Sequence, residues 1–265
     1  MTGPGPRPVD TGLIDTGLID TGLIDTDLID TGLIDTGLIG ALDGALRPHA
    51  DPERAARQQA YMRSPLPFLG LTRSAQRAAL RPVLTGRRLD DRAVWAATVR
   101  GLVDQAPYRE QWYTALELAR HRHYREFQDP GTLPLYRDLI LATGWWDTVD
   151  ELAGRHVGGI LARSRAETTP VVAAWADADG LWLRRSAVLS QLHHGADTDT
   201  DLLAAVLDAN LEDSRFGSTF WIRKAVGWAL RQHARSDPGW TRAFLADRHD
   251  RLSGLSRREA ARHIR

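Results

Sequence analysis

From about residue 41 to the C-terminus, apolar residues recur with helical spacing, and no stretch alternates with the period of two that marks a half-buried strand. The pattern predicts helices near 40–47, 52–62, 73–84, 90–104, 108–122, 132–142, 145–162, 170–177, 180–193, 199–209, 218–234, 238–247 and 255–264. Residues suited to helix starts punctuate it: Asp51-Pro52, Ser74, Asp90, Pro107, Thr169-Pro170 and Ser256. So many amphipathic helices joined by short turns predict an all-α chain. Their number favours a solenoid of antiparallel helical pairs of the HEAT type, with a concave face, over a four-helix bundle.

Residues 11–40 obey a different rule. They are six copies of Thr-Gly-Leu-Ile-Asp, altered only at Asp27 and Gly40. A five-residue period makes the Leu-Ile pairs precess around a helix and sends successive leucines to opposite faces of a strand. A glycine in each copy weakens either structure. The expectation is a low-complexity, disordered tail over 1–40 and a folded domain over 41–265.

Composition adds boundaries. The chain has 265 residues, 43% of them hydrophobic, and no cysteine. It can therefore bury a substantial core, but it has no disulfide or thiolate metal site. No run suits a signal peptide or a membrane span, so a cytoplasmic, nucleoid-associated protein is expected. The zero net charge hides an asymmetry. Residues 1–50 hold two arginines against eight aspartates, net −6, and the remaining 32 basic and 26 acidic residues leave +6. The body is mildly basic, which is compatible with a polyanionic partner.

Three places look out of keeping with plain packing. Gly144-Trp-Trp-Asp-Thr-Val-Asp150 opens a helix whose wheel places Trp145 on the apolar stripe and Trp146 with Asp150 at its edge. On the same wheel Asp147, Glu151 and Arg155 face solvent. An indole beside a carboxylate at the rim of a core suits a site; a core tryptophan beside an acid favouring the helix dipole explains it equally. On the helix at 180–193, Arg185 sits amid Leu181, Val188, Leu189 and Leu192, so it must meet a carboxylate, carbonyls or a phosphate, while Arg184 points away. On the helix at 218–234, Trp228 lies opposite the core side, flanked by Lys224 and Arg231. It calls either for a neighbouring helix or for a partner with π surface and negative charge. The pairs His121/His123 and His193/His194 lack metal-ligand spacing, and no phosphate loop, dinucleotide fingerprint or serine elbow is present.

With these residues assembled, the chain resembles the AlkD-type DNA alkylation-repair glycosylases, built of HEAT-like repeats, over roughly residues 52–263. The resemblance is carried by six collinear blocks: Tyr61-Met-Arg-Ser-Pro-Leu-Pro-Phe-Leu-Gly-Leu71, Glu110-Gln-Trp-Tyr-Thr-Ala-Leu-Glu117, the block at 144–150, Leu181-Trp-Leu-Arg-Arg-Ser-Ala187, Ile222-Arg-Lys-Ala-Val-Gly-Trp-Ala-Leu-Arg231 and Leu255-Ser-Arg-Arg-Glu-Ala260. It implies catalytic roles for Asp150, Trp146, Trp228 and Arg185, and DNA contacts for Tyr61, Arg77, Lys224 and Arg231. Phe216-Gly-Ser-Thr219 looks like a short insertion into the pattern.

The resemblance implies a monofunctional glycosylase that hydrolyses the N-glycosidic bond of cationic N3- or N7-alkylated purines. Its partner would be double-stranded DNA, and it would act as a monomer without metal or cofactor. Two other readings compete: a non-catalytic helical scaffold for DNA or protein, and an aromatic cage for a methylated ammonium ligand.

Overall fold

The computed structural model describes residues 31–264. The expected disorder of the first thirty residues lies outside the described residues. Fourteen α-helices follow one another among those described: α1 Thr36–Leu46, α2 Pro52–Met62, α3 Arg73–Gly86, α4 Arg92–Asp104, α5 Glu110–Ala119, α6 Leu133–Thr143, α7 Trp146–Glu151, α8 Gly158–Arg163, α9 Arg165–Ala176, α10 Leu181–Leu189, α11 Thr200–Asp208, α12 Phe220–His233, α13 Pro238–Asp247 and α14 Gly254–Ala260. The described residues contain no strand. The chain has the expected all-α repeat fold, with α4 packed on α5, α9 on α10, and α12 on both α10 and α14.

Capping explains where many helices start. Asp35, Asp51, Thr72, Asp91, Asp199, Thr219, Asp237 and Ser253 each accept a hydrogen bond from a backbone N–H in the first turn of the helix that follows. Such a cap satisfies donors that the helix itself leaves open and contributes about 1 kcal/mol. Asp51-Pro52 marks its start as expected, but the other start signals are displaced: α3 is capped by Thr72 and not Ser74, α4 by Asp91 and not Asp90, α14 by Ser253 and not Ser256, and α5 begins at Glu110, beyond Pro107. The helix expected from Pro170 begins at Arg165 and carries Pro170 inside it, because tertiary packing of the preceding turn outweighs one lost backbone bond.

The last two pentapeptide copies, 31–35 and 36–40, are built into the fold, contrary to a tail running to residue 40. Asp35 caps α1, pairs with Arg87 at 2.7 Å and donates its backbone N–H to Thr98. The reason is a change of period. Leu33 and Leu38 are five apart, and only Leu38 is buried; Leu38, Leu42 and Leu46 are four apart, and all three are fully buried. Where the sequence leaves the repeat, a helical stripe forms and docks on α3.

The core has two sections. One extends from Leu38 to Val206 and the other from Ala153 to Ala260. A few elements feed both: Val149, Leu152 and Val157 pack into the first section while Ala153 packs into the second, and Ala187 and Val188 divide in the same way. The chain from Trp146 to Arg163 and helix α10 therefore lie along the seam. Those segments carry Asp150 and Arg185.

Candidate active site

The seam helix is one rod with an irregular middle. A π-helical turn, Leu152–Val157, joins α7 to α8. Such insertions widen the helix and concentrate at functional positions. His156, within that turn, is buried with its ring nitrogens 3.2 and 3.1 Å from the carbonyls of Glu151 and Leu116, which ties the turn to α5. Burial holds the His156 ring below its usual range, which favours the neutral form. At Gly158 the rod meets the end of α10. A Cβ there would lie 2.2 Å from the Ser190 carbonyl oxygen, so only glycine permits the crossing.

More than two turns earlier on the same rod, Asp150 faces Arg185 of α10. The Arg185 Nε and Nη2 donate to the two Asp150 carboxylate oxygens at 2.7 and 2.8 Å, a side-on bidentate pair. Nη1 donates to the carbonyl of Trp221, which links the pair to α12. Arg185 is 4% exposed. The Asp150 side chain is 14% exposed, so part of it remains open to solvent. Burial pushes the Asp150 carboxyl above its ordinary range; Arg185 opposes that, and the Asp147 charge adds to it. Of the partners foreseen for Arg185, the carboxylate is the one found, joined by a carbonyl. The guanidinium is not free for a phosphate.

Three tryptophans cluster beside this pair. The Trp145, Trp182 and Trp221 rings lie 5.7–6.2 Å apart, tilted against one another, and Phe220 meets Trp221 edge-on at 5.2 Å. The Arg185 guanidinium carbon lies 5.9 Å from the Trp221 ring. Trp145 is therefore not a core residue of the helix. Its backbone is extended because Gly144, in the left-handed conformation, ends α6, and the helix begins only at Trp146. A wheel that counts Trp145 as helical misplaces it. Trp182 and Trp221 went unnoticed in the sequence, although Trp182 is one turn from Arg185 and Trp221 two turns from Trp228.

The other expected residues are dispersed. Trp146 and Trp228 are each half-buried, and among the described residues neither ring stacks on another aromatic ring. Trp228 rests on the C-terminal core section. Tyr61, near the end of α2, is 78% exposed. Arg77 is exposed but pairs with Glu117 at 2.6 Å. Lys224 and Arg231 both reach Glu259 on α14. Phe216 to Thr219 forms a tight turn in which Thr219 caps α12.

Three further wheel assignments need correction. Asp147 does not face solvent: it pairs with buried Arg109 at 2.6 Å and accepts from the Tyr113 hydroxyl at 2.5 Å. Glu151 pairs with Arg73 at 2.8 Å. Arg184 does not point away; it is buried, with its guanidinium capping the carbonyls of Asp177, Ala178 and Ala209. In a solenoid a helix is covered on two sides, so the face opposite its own stripe meets the next repeat. Among the described residues no group of three or more His, Asp or Glu is placed to hold a metal, and no helix is long and apolar enough to cross a membrane.

A family model described as DNA alkylation repair enzyme matches residues 42–264. The chain belongs to that family. A solved structure described as a predicted DNA alkylation repair enzyme from Enterococcus faecalis superposes with a TM-score of 0.65 at 26% identity, covering 81% of this chain and 96% of that one. No curated protein matches the chain in sequence.

Proposed function

We propose that this member of the DNA alkylation repair family is a monofunctional glycosylase that releases cationic N3- or N7-alkylated purines from double-stranded DNA. The observation that carries the reading is Asp150, a largely buried carboxylate held bidentately by Arg185 and in part open to solvent. An alkylated purine is already a good leaving group, so the demand falls on the sugar, which approaches an oxocarbenium ion. A fixed carboxylate stabilises that positive charge without reorganising, and its remaining lone pairs orient the attacking water.

Arg185 acts here by holding Asp150, and not by gripping a phosphate. Trp146 and Trp228 offer half-open indole faces to a cationic base, each such contact contributing about 0.5–2 kcal/mol. Tyr61, Lys224 and Arg231 supply backbone contacts, while Arg77 joins them only by exchanging Glu117 for a phosphate. The reaction takes place in the cytoplasm, on the nucleoid.

The test is release of 3-methyladenine and 7-methylguanine from methylated duplex DNA. Asp150→Asn should lower single-turnover release by about 10²–10⁴-fold while duplex binding persists. Undiminished release by that variant excludes the proposed role. Binding by the wild type without any release favours the scaffold reading.

A further inference from the structure

Lys224 and Arg231 flank Trp228 on one face of α12, and the structure adds two residues to them. Glu259 of α14 is 4% exposed, and each of its oxygens is engaged. Lys224 Nζ donates to Oε2 at 2.8 Å, Arg231 Nη1 donates to Oε1, and Arg262 Nη1 lies 3.1 Å from Oε1. Burial alone would raise the Glu259 carboxyl, but the three cations together hold it below its usual range. One buried anion thus gathers three cations, and the assembly presents a net charge of about +2 to solvent at neutral pH.

The placement is enforced by the backbone. α14 crosses α12 at Gly227, where a Cβ would lie 2.7 Å from the Glu259 Cβ and 3.0 Å from the Ser256 backbone. No side chain fits between the helices, so Glu259 is pressed directly between Lys224 and Arg231. The cations remain available on their outer sides: Lys224, Arg231 and Arg262 side chains are 40%, 24% and 61% exposed. Lys224 uses one of its three donors on Glu259, and each arginine keeps unengaged N–H groups.

We propose that Lys224, Arg231 and Arg262, assembled around Glu259, form a clamp for the phosphodiester backbone of duplex DNA beside Trp228. In it Arg262 is a further DNA-binding residue and Glu259 a positioning residue that also caps the charge. The proposal rests on the DNA-repair reading of the site. Without Glu259 the three cations would repel one another and spread; with it they hold one spacing. The same carboxylate offsets one positive charge, which limits binding to undamaged duplex. A longer-range pull toward any DNA is exchanged for a fixed register at one or two phosphates.

The experiment measures binding of an undamaged fluorescent duplex as salt is varied, for the wild type, Arg262→Ala and Glu259→Gln, with base release from methylated DNA followed in parallel. Arg262→Ala removes one phosphate contact, and the slope of log K against log salt should become shallower by about 1. Glu259→Gln unmasks one charge, and the slope should steepen by about 0.9. A residue that only supports packing moves neither slope in that sense. Arg262 is exposed, so its variant should fold even if Glu259→Gln does not. Both slopes unchanged, a shallower slope in Glu259→Gln, or a wild type that does not bind the duplex overturns the clamp. Slopes that shift as expected in a wild type without base release leave the clamp standing and remove the glycosylase reading. Base release with unmoved slopes does the reverse.

Discussion

Two carboxylates largely shut away from solvent, each paired with arginine, behave in opposite ways. Asp150 lies on the segment that touches the end of α10 at Gly158, more than two turns before that contact, and Glu259 lies directly where two other helices cross at Gly227. Both segments contain a glycine where backbones meet closely, and both carry an acid paired with arginine. Asp150 has one cation and is pushed up by burial; Glu259 has three and is held down by them. The first assembly is neutral and largely closed to solvent, which suits a group that must meet charge developing in a transition state. The second is net positive and open on its outer side, which suits a permanent anion such as a phosphate. On the proposed reading, the number of cations gathered by one acid separates a site for chemistry from a site for affinity.

That contrast can be tested most strongly at its neutral end. Arg185→Met leaves Asp150 buried without a partner and should lower unfolding free energy by about 3–5 kcal/mol, measured by denaturant titration. The double variant Asp150→Asn/Arg185→Met should lose less than the two singles combined, since no unpaired charge remains. The pH dependence follows from the direction of the Asp150 shift. Loss of Arg185 removes the group that opposes burial, so the carboxyl rises further. Because the folded carboxyl then titrates above its unfolded value, stability is lost as pH rises through that window. The Arg185→Met deficit should therefore shrink as pH falls through the folded-state titration. A deficit independent of pH would place its origin in lost packing.

Next comes the crossing itself. Gly158→Ala drives a methyl group into the Ser190 carbonyl and should cost about 1–3 kcal/mol, with base release falling more than duplex binding. Equal losses in both would mean that the crossing supports the fold without aligning Asp150. Smallest should be Trp221→Leu, which removes ring contacts to Trp145 and Trp182 but leaves the carbonyl that Arg185 uses. A loss of about 0.5–1.5 kcal/mol beyond the area change is expected, seen as a lower melting temperature.

Much of this was legible in residue order. Arg185 among leucines had to have a partner, and the wheel left Asp150 beside the apolar stripe; the structure joins those two residues. Among the described residues Tyr61 is the most exposed of the large hydrophobic side chains. Misreadings share one origin. A wheel turns Asp147, Glu151 and Arg184 to solvent because it shows only a helix's own stripe, whereas Arg109, Arg73 and three carbonyls reach them from neighbouring elements. The last two pentapeptide copies read as tail because the change from a period of five to one of four at Leu38 is visible only when Leu42 and Leu46 are counted with it.

Local order along the chain determined the helices, their caps and the residues too polar or too large for their faces, because those follow from periodicity and from the donors a helix end leaves open. Family membership was equally legible, through six collinear blocks. Which acid meets which cation was decided only in three dimensions. Asp150 and Arg185 are 35 residues apart, as are Lys224 and Glu259. Each pair sits on elements that meet at a close backbone contact needing a glycine, and a glycine in a sequence does not say which carbonyl or side chain will approach it.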